Sequence, residues 1–154
     1  MTTTPTPTPS PTPTPTLNGF IIGQAERATR ALLDRLLDEL DTPFETWVTL
    51  NLLAQTGGAG SSDALIARMV DGLRIDEIDA WAAVDDARRR ELVIGTDELH
   101  LTAGGQARYE AITAGTTAIS ARLYTGFPAA DLEIAAQILL TVTERAKAQL
   151  TEAS

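Results

Sequence analysis

The chain has 154 residues, no cysteine and a net charge of −9. The missing cysteine excludes disulfides and thiolate metal sites. The acidity excludes indiscriminate binding to nucleic acid, which depends on neutralising phosphates. No apolar run approaches the roughly 18 residues of a membrane span, so no membrane partner is expected and the chain reads as cytoplasmic.

Residues 1–16 alternate Thr and Pro almost without interruption, with Ser10 as a variant, and hold six of the eight prolines. Such a stretch has nothing apolar to bury, and proline removes backbone donors. It is expected to be a disordered, polyproline-II-like tail. A basic start and an apolar run are both missing, so it is not a secretory signal. Composition favours a solvated spacer, with a ligand for a proline-reading partner as the alternative. Residues 17–154 are enough for one domain with its own core.

A first helix is expected from Leu17 or Asn18 to about Leu40. Its apolar stripe is Phe20, Ile21, Ala28, Ala31, Leu32, Leu36 and Leu40. Thr42-Pro43-Phe44-Glu45 has the form of a capping box opening a second helix, with Thr42 at the N-cap. Gly57, Gly58 and Gly60 end that helix, and the Gly57–Gly60 stretch reads as a flexible connector. Ser61 or Ser62 caps a short third helix from Asp63 to about Val70, broken by Asp71-Gly72. A fourth follows from about Asp76 to Arg90. Leu92-Val93-Ile94 and Leu99-His100-Leu101 flank the four-residue turn Gly95–Glu98 as a small β-hairpin. Thr102 caps a long fifth helix to about Thr125. After the Phe127-Pro128 corner, a sixth runs from Ala129 to about Leu150. Its stripe of Leu132, Ala135, Ala136, Leu139, Val142 and Ala146 is supplemented by Ile134, Ile138 and Leu140 on further faces. A helix apolar on more than one face has a second partner to bury against. The fold class is thus mostly α with a small β-hairpin.

Three stretches carry a resemblance. LDELDTPFETWVTLNLLAQTGG has a Thr-Pro corner before an aromatic, Leu-rich helix, and ELVIGTDELHLTAGGQARYEAI runs from a hairpin into a helix. RLYTGFPAADLEIAAQILLTVTERAKAQL supplies the terminal helices. Their order and spacing resemble the MarR family of winged-helix transcription regulators over residues 17–151. The resemblance implies a homodimer in which residues 17–41 and 103–151 are dimerisation helices. It implies a winged helix-turn-helix over residues 42–102 that meets double-stranded DNA. Small aromatic effectors bind members of the family near the junction of these two parts, which makes Phe44, Trp47 and Tyr124 the pocket candidates. Trp47 and Trp81 also suit plain core packing at their helical spacing.

A reader helix touches bases near its start. Here that start carries Asp76, Glu77 and Asp79, with Asp85 and Asp86 beyond, and no Lys or Arg lies between Ile75 and Ala87. Residues 61–102 hold five Arg against ten Asp and Glu, a net −5. The family pattern has a longer wing with Arg at its tip, and a shorter link between reader helices than Asp71–Ile75 provides. The DNA-binding candidates are Ser61, Ser62, Arg68, Arg74, Arg88, Arg89 and Arg90. The Arg triplet has a second reading, as cations offsetting the dipole at a helix C-terminus.

His100 is the sole histidine and alternates with Leu99 and Leu101, which puts it on the solvent face. No nucleophile–base constellation, metal-ligand spacing or phosphate loop is present, so neither an enzyme nor a cofactor is expected. Two functions remain open. One is a DNA-binding homodimeric regulator controlled by a small-molecule effector. The other is a winged-helix dimer that has lost DNA binding and acts through protein or small-ligand contacts.

Overall fold

The computed structural model describes residues 4–153. The first three residues of the expected tail, and Ser154, lie outside the described residues. Residues 4–17 carry no helix or strand and are exposed.

Helix α1 (Gly19–Glu39) begins at Asn18, whose side-chain oxygen accepts from the Ile21 N–H at 3.0 Å. It ends where Asp41 turns the chain in a left-handed conformation, φ 47°, and the Thr42 N–H reaches the Leu37 carbonyl at 2.9 Å. Helix α2 (Phe44–Ala54) follows, but the capping box does not form. Pro43 occupies the N-cap. The Thr42 hydroxyl instead donates to the Leu40 carbonyl at 3.0 Å and accepts from Arg108 Nη1 at 2.7 Å. Glu45 still favours the helix start through the dipole.

The glycine connector is a structured reversal. Gly57 and Gly58 take φ of 76° and 88°, a region open to glycine without steric cost. They deliver Ala59–Ser61 into a strand, β1, that the sequence reading missed. Helix α3 (Ser62–Leu73) runs through Asp71-Gly72 instead of breaking there. Its hydrogen bonding continues to Arg74 N–H on the Val70 carbonyl, and Arg74, φ 56°, takes the left-handed position. The link to α4 (Glu77–Arg89) is therefore only Arg74–Asp76, shorter than expected.

Strands β2 (Val93–Ile94) and β3 (Glu98–Leu101) complete an antiparallel sheet of order β1-β3-β2. Glu98 already pairs with Ser61, so the wing turn is three residues, Gly95–Asp97, and not four. Thr102 caps α5 (Ala103–Tyr124), accepting from the Gly105 N–H at 2.9 Å. Helix α6 (Ala129–Glu152) ends the chain's described part. The expected fold class holds, with three strands in place of two.

The core lies within the region 50–99. Leu50 and Leu53 of α2, Leu65, Ile66 and Met69 of α3, Leu92 just before β2, and Val93 and Leu99 of the sheet are buried together. Ala80, Ala83 and Ala87 give α4 a small-residue face that brings it close to its neighbours, with Val84 between them. Trp81 packs on the edge of this cluster, in line with its core reading. Leu37 of α1 and Ile112 of α5 are buried. Gly115 of α5 brings the two helices close, since a Cβ there would stand 2.6 Å from the Leu36 methyls. Helix α6, by contrast, buries no residue.

Candidate nucleic-acid interface

Helices α3 and α4 and the β2–β3 wing form one braced unit. The Ser62 N–H and hydroxyl both donate to the Asp97 carbonyl, at 2.9 and 3.1 Å. Arg88 Nε donates to the Gly95 carbonyl at 2.9 Å and its Nη1 to Asp85 at 2.8 Å. Both helices thus grip the wing turn. Gly95 is required there: its φ is 106°, and a Cβ would run into the Glu98 carbonyl.

The same C-terminal end of α4 is also tied to the α1–α2 corner. Arg90 Nε donates to Asp86 Oδ2 at 2.8 Å, and its Nη1 to the Asp41 carbonyl at 2.8 Å. Asp86 Oδ2 also accepts from the Thr46 hydroxyl at 2.7 Å. Arg108 of α5 reaches the same corner, donating to the Leu40 carbonyl at 2.6 Å. The joining roles of Asp86 and Arg108 escaped the sequence reading, because Thr46 lies 40 residues from Asp86 and Leu40 lies 68 from Arg108. Burial alone would raise the Asp86 carboxyl. The Thr46 hydroxyl and the Arg90 guanidinium outweigh burial and hold it below its ordinary value.

That direction sets a pH dependence. A carboxylate with a depressed folded pKa contributes stability above its unfolded pKa and loses it as pH falls through the folded one. Asp86→Ala removes the acceptor shared by Thr46 and Arg90 and is expected to cost about 2 kcal/mol at pH 7. Urea melts of wild type and variant should differ by that amount at pH 7, and the difference should begin to close only as pH falls below about 4.

The seven DNA-binding candidates therefore divide. Ser62 is buried against the wing, and Arg88 and Arg90 are partly buried in the contacts above. Ser61 is the exposed N-cap of α3, accepting from the Ala64 N–H at 3.4 Å. Arg68 is exposed and donates to Gln55 at 2.8 Å. Arg89 is 75% exposed, with Asp86 at 3.2 Å. Arg74 is exposed at the end of α3, its guanidinium without a partner among the described residues.

Between these arginines lies the acidic start of α4. Asp76 caps the helix, accepting from the Asp79 N–H at 2.9 Å. Asp76, Glu77, Asp79 and Asp85 are exposed, and Ile78 among them is 79% exposed. Acids at this end suit the helix dipole. They also present negative charge where a reader would meet phosphates.

Of the pocket candidates, Phe44 and Trp47 meet with ring centroids 5.5 Å apart, and the Arg30 guanidinium lies 3.4 Å over the Phe44 ring. Tyr124 stands apart from them. It lines grooves with Leu17, with Ile21 of α1 and with Leu132 and Leu139 of α6. His100 is half exposed, 3.9 Å from Glu98, and no cluster of metal-ligand residues exists among the described residues.

No family model and no curated protein matches the sequence. Solved structures do match the fold. A MarR-family transcriptional regulator from Rhodococcus sp. RHA1 superposes with a TM-score of 0.69 at 15% identity, over 80% of this chain and 90% of that one. The chain has the MarR-type winged-helix fold. A second MarR-fold structure is Bordetella bronchiseptica BpsR, whose DNA binding is regulated by 6-hydroxynicotinic acid. It gives a TM-score of 0.66 at 19% identity, over 87% and 99% of the two chains. A third is CouR from Rhodococcus jostii RHA1, bound to p-coumaroyl-CoA, with 0.69 at 16% identity over 80% and 89%.

Proposed function

We propose that this protein is a homodimeric transcription regulator of the MarR type that binds double-stranded DNA. The observation that carries the reading is an α3–α4–wing head attached to terminal helices whose apolar faces lie open, in the fold shared with DNA-binding regulators. A second copy closes the open faces and sets two heads side by side, as two half-sites require. Ser61, Arg68, Arg74 and Arg89 are the exposed groups available to phosphates, with Ser62, Arg88 and Arg90 holding the head's shape behind them. A small aromatic effector is the proposed control. Phe44 and Trp47 form its aromatic wall, beside the tie between the α1–α2 corner and α4. Tyr124 serves a separate groove.

The test is titration of a duplex from upstream of the protein's own gene. Three exposed arginines per protomer give six phosphate contacts per dimer, so log K should fall with log salt at a slope of about −5. Arg74→Ala and Arg89→Ala should each flatten that slope by about 2. No retention at about 50 mM salt overturns the reading.

The acidic start of α4 favours a second reading: a winged-helix dimer that does not enter the DNA groove and acts through protein or small-ligand contacts. Four exposed carboxylates precede the first cation of that helix. Their like charge repels phosphates in the position from which a reader contacts bases.

A further inference from the structure

The outward surface of α4 has three properties that belong together. Its exposed line is Ile78, Ala82 and Asp85, one turn apart, and Ile78 is the most exposed of the large apolar side chains in the described chain at 79%. Carboxylates flank that isoleucine on both sides, Glu77 and Asp79. Beside it, a cleft of about 320 Å³ opens between α2 and α4, meeting the exposed line at Ala82. Pro43, Ile75 and Ala83 are part of its apolar lining and Thr46 and Asp86 part of its polar lining, and two further acids, Glu45 and Asp79, line it as well. Neither acid has an ion-pair partner among the described residues, whereas Asp85 and Asp86 are already matched by Arg88, Arg89 and Arg90.

We propose that this surface docks a basic, amphipathic protein segment, with one Arg or Lys entering the α2–α4 cleft and an apolar side chain covering Ile78. The inference rests on the second reading above, a head that stays out of the DNA groove. Charge complementarity selects the occupant. The apolar part of the cleft's lining suits the methylene stem of a long cationic side chain, and the acids Glu45 and Asp79 suit the charged tip. Nucleic acid and anionic lipid carry the wrong sign. A small cation in the cleft would leave Ile78 bare, and an exposed apolar side chain ringed by polar groups is the pattern of a protein interface.

The test uses the full-length protein and a fluorescein-labelled amphipathic peptide of alternating Lys/Arg and Leu, read by fluorescence anisotropy. Binding is expected at about 50 mM salt and should weaken as salt rises, as for a charge-complementary contact. Glu45→Gln combined with Asp79→Asn should weaken it about tenfold, and Ile78→Ser by a similar factor at every salt concentration. The α3 pair Asp63→Asn and Asp71→Asn removes equal charge elsewhere on the head and should leave binding unchanged. All of these positions are exposed, and thermal melts confirm that each variant folds. No peptide binding overturns the docking site, and so does an α3 pair that weakens it as much as the cleft pair. A duplex titration in parallel separates the two levels. Sequence-selective DNA retention overturns the reading beneath the proposal. Absence of both DNA and peptide binding overturns the docking site alone.

Discussion

Ile138→Asp is expected to convert the proposed dimer to monomers, with light scattering falling from twice the 16.4 kDa chain mass to a single mass at micromolar concentration. Helix α6 is the reason. It carries Ile134, Ile138, Leu139, Leu140 and Val142, all more than two-fifths exposed in the isolated chain. Its line of Ile134, Ile138 and Val142 recurs every four residues, one face of a helix. Such a surface is large for a soluble monomer and needs a partner. In a two-fold dimer each substitution occurs twice. Each removes about 2 kcal/mol of apolar burial and sets a carboxylate against an apolar surface. A combined loss of about 4 kcal/mol weakens association about a thousandfold. Ile138 is 45% exposed without the partner, so folding of the head should change little. A wild-type mass of one subunit would remove the basis for the prediction.

The second large effect separates two adjacent glycines. Gly104 and Gly105 both lie in the first turn of α5. A Cβ on Gly105 would run into the Leu92 carbonyl, with the Leu101 side chain 3.4 Å away. That carbonyl accepts from the Thr102 N–H at 3.1 Å, part of the junction between the sheet and α5. The clash is with backbone, which cannot swing aside as a side-chain tip would, and the Leu101 side chain closes the space beside it. Gly105→Ala is therefore expected to cost about 3 kcal/mol, the upper range for overpacking. A Cβ on Gly104 meets nothing closer than 3.6 Å. Gly104→Ala gains helix propensity and should stabilise by about 0.5 kcal/mol. Urea midpoints moving in opposite directions at neighbouring positions would establish the close approach. Equal shifts would refute it.

The features legible in sequence were those with a local cause. Asn18, Thr102 and Asp76 mark helix starts through short-range side-chain bonds. The apolar spacing of α2 and α3 follows from burial. Solvent-facing His100 follows from strand alternation. The misread elements were settled by distant partners. Thr42 loses its capping role because Arg108, 66 residues on, uses its hydroxyl. Ala59–Ser61 become a strand because β3 offers an edge to pair with. Gly72 stays helical because Arg74 supplies the left-handed residue instead. In the candidate site, the acidic character of the head was plain from composition, whereas the allotment of the arginines was not. Arg88, Arg89 and Arg90 are equivalent in sequence and differ only in what folding places beside them.

That allotment has an evolutionary consequence. Arg88 and Arg90 are bound into the frame that keeps the wing and the α1–α2 corner in place, so substitutions there are judged first by stability. Arg68, Arg74 and Arg89 stand on the surface, where replacement changes stability little. A lineage can therefore trade one binding partner for another through the second set while the first is held fixed by folding.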